Sequence, residues 1–116
     1  DKQVAAKRYN STLQDDDVKA IARREYPNDP SMQKYIYDKQ LAAKRYMLSV
    51  SDTDVKRIAL REYPNDYSMQ KYTYDKQLTA KEYMSRVTNQ YAKKKALREY
   101  PSDYSMQKYI YDRALR

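Results

Sequence analysis

The chain has no cysteine, no glycine, no histidine, no tryptophan and no phenylalanine among its 116 residues. Each absence removes a class of answer. Without cysteine there are no disulfides and no thiolate metal sites, and the redox compartment is left open. Without glycine there is no Gly-rich phosphate loop, no nucleophile elbow and no two-residue Asn-Gly hairpin turn. The backbone has few inexpensive places for positive φ, so helices joined by short polar turns are favoured. The missing histidine and cysteine also take away the usual base near neutral pH and the thiolate nucleophile. No catalytic residue, cofactor or metal is expected, and the chain is read as a non-enzyme. No apolar run approaches the roughly 18–20 residues that cross a bilayer, no signal peptide is visible, and the first residue is not Met. A soluble fragment, processed product or designed chain is expected, cytoplasmic if intracellular and otherwise of unknown compartment.

What is present is just as uneven. Fifteen tyrosines supply all the aromatic content, and the net charge is +8. A buried tyrosine keeps a hydroxyl that needs a partner, so rings lying at helix–helix seams with their hydroxyls at the rim are expected. The positive charge draws acidic partners but says nothing of fold.

Three strings recur. Arg-Glu-Tyr-Pro stands at 24–27, 61–64 and 98–101, Ser-Met-Gln-Lys-Tyr at 31–35, 68–72 and 105–109, and Asp-Lys-Gln at 1–3, 38–40 and 75–77. Every spacing is 37 residues. A period of that length marks a stacked array of supersecondary units. Each unit reads as a short helix, a proline turn and a long helix. In the second copy Ser51 is the expected cap, with Asp54 as its box partner and Val50 stapled to Val55. The first copy repeats this with Leu13, the Asp15–Asp17 run and Val18. That acidic run suits the positive end of a helix dipole better than a metal site, since adjacent helical residues diverge. Pro27, Pro64 and Pro101 stop the short helices, because a residue before proline is pushed out of the α region. Asp29 and Asp66 then cap the long ones, with Pro30 at the first helical position. Along the second long helix Met69, Thr73, Gln77, Ala80, Met84 and Val87 step by four, four, three, four and three, one continuous face flanked by Tyr72 and Tyr83.

Such a hairpin cannot bury its apolar face alone. The expected architecture is all-α: tandem hairpins of about 37 residues forming a short right-handed α-solenoid, with a compact helical bundle as the alternative. The expected divisions are a partial repeat over 1–13, full repeats over 14–50 and 51–87, and a truncated repeat over 88–116. In outline the chain resembles the tetratricopeptide class of αα-hairpin repeats over nearly its whole length. It lacks that class's glycine in the first helix and the usual Trp-Leu-Gly spacing. What the resemblance implies is a fold and a binding role, and no particular partner. The near-identity of the copies is what recent duplication or deliberate engineering leaves.

Two ladders are the candidate binding surface. The first is aromatic: Tyr35, Tyr72 and Tyr109 in one row, Tyr37, Tyr74 and Tyr111 in another. It reads either as a stacking platform for bases or peptide side chains or as inter-repeat packing. The second is basic: Lys34, Lys71 and Lys108, with Arg24, Arg61 and Arg98 and the row Lys7, Lys44 and Lys81. It reads either as phosphate contacts or as a solvated face threaded with pairs such as Asp52–Lys56 and Glu82–Arg86. Gln40 and Gln77 interrupt the apolar stripe, with tyrosine hydroxyls or facing backbone as candidate partners, and are read as register-fixing hydrogen bonds between helices. On that reading, Gln77→Leu leaves the fold standing but less unique. The array is cut in mid-helix at both ends of the sequence, so self-stacking head to tail or a swapped dimer is a further expectation. The functional expectation is a scaffold or protein- or peptide-binding module, with nucleic acid as the alternative partner and no membrane contact.

Overall fold

The computed structural model describes residues 2–11 and 15–116, the side chains of 8–11 excepted. The expected staple at Leu13 and the division between residues 13 and 14 lie outside the described residues. Over the described residues the protein is all-α, with helices α1 (Lys2–Ser11), α2 (Asp16–Glu25), α3 (Pro30–Ser49), α4 (Thr53–Glu62), α5 (Tyr67–Arg86), α6 (Gln90–Glu99) and α7 (Tyr104–Ala114).

The helix ends follow local chemistry. Asp29, Asp66 and Asp103 cap the long helices, each carboxylate accepting from the backbone N–H three residues on at 3.1 Å. Pro30 occupies the first turn of α3, where a missing N–H costs nothing. The short helices end at Tyr26, Tyr63 and Tyr100, whose N–H groups donate back to Ala22, Ala59 and Ala96. The proline that follows each tyrosine forbids another turn.

One cap differs from expectation. Asp52, not Ser51, caps α4, its side chain accepting from the Val55 N–H at 3.0 Å. Asp15 and Asn89 do the same for α2 and α6. At Asp15 and Asp52 the accepted bond is charge-assisted and faces the positive helix end. With the cap at Asp52, Asp54 falls in the second helical position and no capping box closes. Val50 still packs against the cluster that contains Val55.

Each short helix packs on the long helix of its own hairpin, α2 on α3, α4 on α5 and α6 on α7. The long helices pack on each other in chain order, α1 on α3, α3 on α5 and α5 on α7. The molecule measures 61 × 26 × 18 Å with a radius of gyration of 19.0 Å; a compact domain of this length would have about 13 Å. Three small cores run along the length, the first between α2 and α3 and the next two centred on the later hairpins, where Met47 of α3 and Met84 of α5 reach in from the preceding long helix. On the long helix α5 the expected stripe buries Thr73, Gln77, Ala80 and Met84 and half-buries Met69, and Gln70 and Tyr74 join it. Val87 is the C-cap rather than a helical residue.

Candidate interaction face

The residues that look functional in sequence divide in three dimensions into those used up in holding the array together and those left outside. The seams between long helices come first. Gln40 on α3 reaches the start of α5, donating to Asp66 at 2.9 Å and accepting from the N–H groups of Tyr67 and Ser68 at 2.8 and 3.2 Å. Gln77 on α5 does the same at the start of α7, donating to Asp103 at 2.9 Å and accepting from Tyr104 and Ser105 at 2.9 and 3.3 Å. A helix start leaves its first N–H groups without intrahelical partners, so each glutamine is a second cap supplied by the preceding repeat. The facing backbone is thus the partner, and no tyrosine hydroxyl takes part. Gln3 makes the same contact with Asp29 and Ser31, while its bond to position 30 is lost because Pro30 has no N–H.

Tyrosine and aspartate close the same seams further along. The Tyr46 hydroxyl donates to Asp75, and that of Tyr83 to Asp112. Losing that donated bond, together with burial, raises the Tyr46 phenol to about 12. Tyr83 is raised for the same reason, and Asp112 is lowered by the Tyr83 hydroxyl and then by Lys108. Tyr46 also meets Tyr74 edge to face at 6.2 Å, as Tyr83 meets Tyr111.

The two candidate tyrosine rows go separate ways. Tyr37, Tyr74 and Tyr111 are buried to within 3–4 % exposure. Reading this row as binding surface is therefore corrected: it is packing. The hydroxyls of Tyr74 and Tyr111 accept from the cap N–H groups of Asp52 and Asn89 inside their own hairpins. Tyr35, Tyr72 and Tyr109 are 57 %, 59 % and 54 % exposed. The signal that separates them was available: residues two apart on a helix point about 200° apart, so both rows cannot share a face.

The basic ladder also divides. Lys44 bridges to Asp15 and Asp17, and Lys81 to Asp52 at 2.8 Å, each tying the long helix to the start of its own short helix. The pairing raises Lys81 and lowers Asp52. Asp52 is therefore engaged by Lys81 rather than Lys56, and neither Asp52–Lys56 nor Glu82–Arg86 is among the ion pairs of the described residues. Lys34 and Lys108 pair with Asp38 and Asp112 one turn on. Lys71 and Lys108 lie over the rings of Tyr46 and Tyr83 at 5.0 and 4.6 Å. Arg24, Arg61 and Arg98 stand exposed in the last turns of the short helices, a different layer from the exposed tyrosines.

A further row went unremarked in the sequence because it hides inside the Asp-Lys-Gln repeat. Lys39, Lys76 and Arg113 follow the exposed tyrosines by four residues, are themselves exposed, and make no ion pair among the described residues. Tyrosine and cation share one helix face at that spacing. Grooves run beside them in the seams. One of about 920 Å³ between α1 and α3 is lined by Ala5, Ser31, Tyr35 and Lys39. Another of about 520 Å³ between α5 and α7 is lined by Tyr72, Lys76, Ala80 and Ser105.

No family model, curated protein or solved structure matches this chain. The likeness to the tetratricopeptide class thus rests on the hairpin outline alone.

Proposed function

We propose that the chain is a short, non-catalytic α-solenoid whose exposed long-helix face binds a segment of a protein partner. The elongated shape and the chain-order packing of long helices support a solenoid over a bundle, because a bundle would gather its helices around one core. The observation that carries the binding role is the row Tyr35, Tyr72 and Tyr109. Three rings more than half exposed stand at equivalent places on adjacent helices. Among the described residues they take no part in the hydrogen bonds and ring pairs that hold the repeats together. Aromatic rings with an apolar body and a polar tip are the residues that most often anchor protein partners.

The test is selection of a displayed random-peptide library on the immobilised chain, with Tyr35→Ala/Tyr72→Ala/Tyr109→Ala as the control surface. Peptides that bind the parent and not the triple variant, with both melting alike, support the reading. A library that yields nothing above background sinks it.

Self-stacking has a weaker chemical basis. The position that follows Gln3, Gln40 and Gln77 in register is Ala114, which cannot supply the second cap that joins the other long helices.

A further inference from the structure

We infer that the partner is an extended, acidic peptide segment that crosses the long helices and places one carboxylate on each of Lys39, Lys76 and Arg113. This rests on the peptide-binding reading above and names the chemistry of the occupant.

The solvent stripe of each long helix has the same grammar. It presents a tyrosine, then an aspartate three residues on, then a cation: Tyr35, Asp38 and Lys39; Tyr72, Asp75 and Lys76; Tyr109, Asp112 and Arg113. The aspartates are already engaged, Asp38 by Lys34, Asp75 by Tyr46 and Asp112 by Tyr83 and Lys108. Lys39, Lys76 and Arg113 make no ion pair among the described residues, although Arg113 also lines a groove with Glu99 of α6. Each row therefore offers an uncommitted positive charge beside a carboxylate that retains acceptor capacity. A partner that suits this needs acceptors and donors together. A peptide has both, in acidic side chains and backbone N–H groups. A nucleic-acid backbone carries a phosphate at every step and no N–H donors to match the aspartates.

The spacing adds a register. Packed helices lie roughly 8–10 Å apart, and an extended chain in the polyproline II form advances about 3.1 Å per residue and returns every third side chain to the same side. One helix therefore corresponds to about three peptide residues. Between Lys76 and Arg113 the intervening side chain would enter the α5–α7 groove, lined by Tyr72 and Ala80. The α1–α3 groove, lined by Tyr35 and Ala6, lies on the other side of Lys39 and would take the side chain that precedes its acid. The matching sequence is an acidic residue at every third position with an apolar residue such as leucine between.

The experiment is fluorescence anisotropy on the whole chain with a labelled peptide of about twelve residues, an Asp-Leu-Thr triplet repeated. The comparisons are a scrambled peptide of equal composition and a thymidine oligonucleotide of similar charge. At low salt the periodic peptide is expected to bind about tenfold more tightly than the scrambled one. The exposed pair Lys39→Glu/Lys76→Glu should abolish that preference while leaving the melting curve unchanged. Equal binding of periodic and scrambled peptides overturns the register. Tighter binding of the oligonucleotide overturns the choice of peptide. If acidic peptides fail while library-selected peptides still bind through the tyrosines, this inference falls and the peptide-binding reading stands. If neither binds, both fall.

Discussion

The second and third hairpins have the same outline and different interiors. In the second, Val55, Ile58 and Ala59 of α4 are buried, and Asp52 caps the helix while pairing with Lys81. In the third the equivalent positions are Ala92, Lys95 and Ala96, the cap is the uncharged Asn89, and the first turn has no acidic residue. Lys95 lies half-buried in a groove with Glu99, Ile110 and Arg113, so its stem covers apolar surface while its charge stays near water. The seams, by contrast, scarcely change. The Gln40 and Gln77 clamps agree within 0.1 Å, from 2.9 to 2.9, 2.8 to 2.9 and 3.2 to 3.3 Å. The array thus tolerates variation inside a hairpin and repeats its geometry between hairpins. In the proposed solenoid, near-identical nearest-neighbour interfaces of this kind would set the spacing of the hairpins.

The largest effect is expected from making the second hairpin resemble the third. Ile58→Lys puts a charge where Ile58 is 5 % exposed. A loss of about 3 kcal/mol is expected, from lost burial plus the desolvated charge. Urea unfolding of the variant measures it, and a loss below about 1 kcal/mol, the ordinary effect of a surface change, would show that the two interiors are equivalent.

Breaking a seam comes next. Gln77→Leu strips partners from Asp103 and from the N–H groups of Tyr104 and Ser105. About 2 kcal/mol is expected, because donors are left unpaired at a part-buried helix start. Amide hydrogen exchange should show the loss first at the start of α7, while α4 stays protected. Uniform loss across all hairpins would mean the seams are not the local joints described above. The sequence marked Gln77 as a buried polar residue with a role between helices. What it did not contain was the identity of the partner, which lies 26 residues away. Only the stacking distance of two helices brings them together.

A smaller change runs in the opposite direction. Lys95→Ile should stabilise the third hairpin by about 1 kcal/mol, as a core-filling substitution does. Thermal unfolding should shift upward by several degrees. A downward shift would show that Lys95 and Glu99 contribute more than apolar contact would.

The pH response is expected to be the gentlest. With no histidine, no side chain titrates ordinarily between about pH 5 and 9, and stability should be flat there. Asp52 and Asp112 are lowered in the folded state, so their contribution is present above the usual carboxylate range and is lost as pH falls below it through the lowered folded values. Tyr46 is raised to about 12, so its contribution is full below about pH 10 and is lost between about 10 and 12. Tyr46→Phe should remove the alkaline loss at that seam and leave the acid limb in place. An unchanged alkaline limb would assign it to other phenols.

The split of the tyrosine rows shows where sequence reading reached its limit for the candidate face. Tyr74 sits one residue after Thr73, already in the apolar stripe, and Tyr72 sits one before it. Helical phase alone puts them on different sides. Which side meets a neighbour is decided by the two helices that flank α5, and no local pattern states that.

The sequence by itself determined the period, the two unequal helices, the proline stops and the aspartate caps of the long helices. The stops and caps are contacts within about four residues, where backbone geometry leaves one good answer, and the period is a pattern of the sequence itself. Tertiary structure alone decided the contacts that span a repeat or nearly so: the glutamine clamps, the tyrosine–aspartate bonds, the lysines drawn into Asp15 and Asp52, and the tyrosines left in water. Those depend on the rotation and spacing of whole helices, which every hairpin sets jointly with its neighbours.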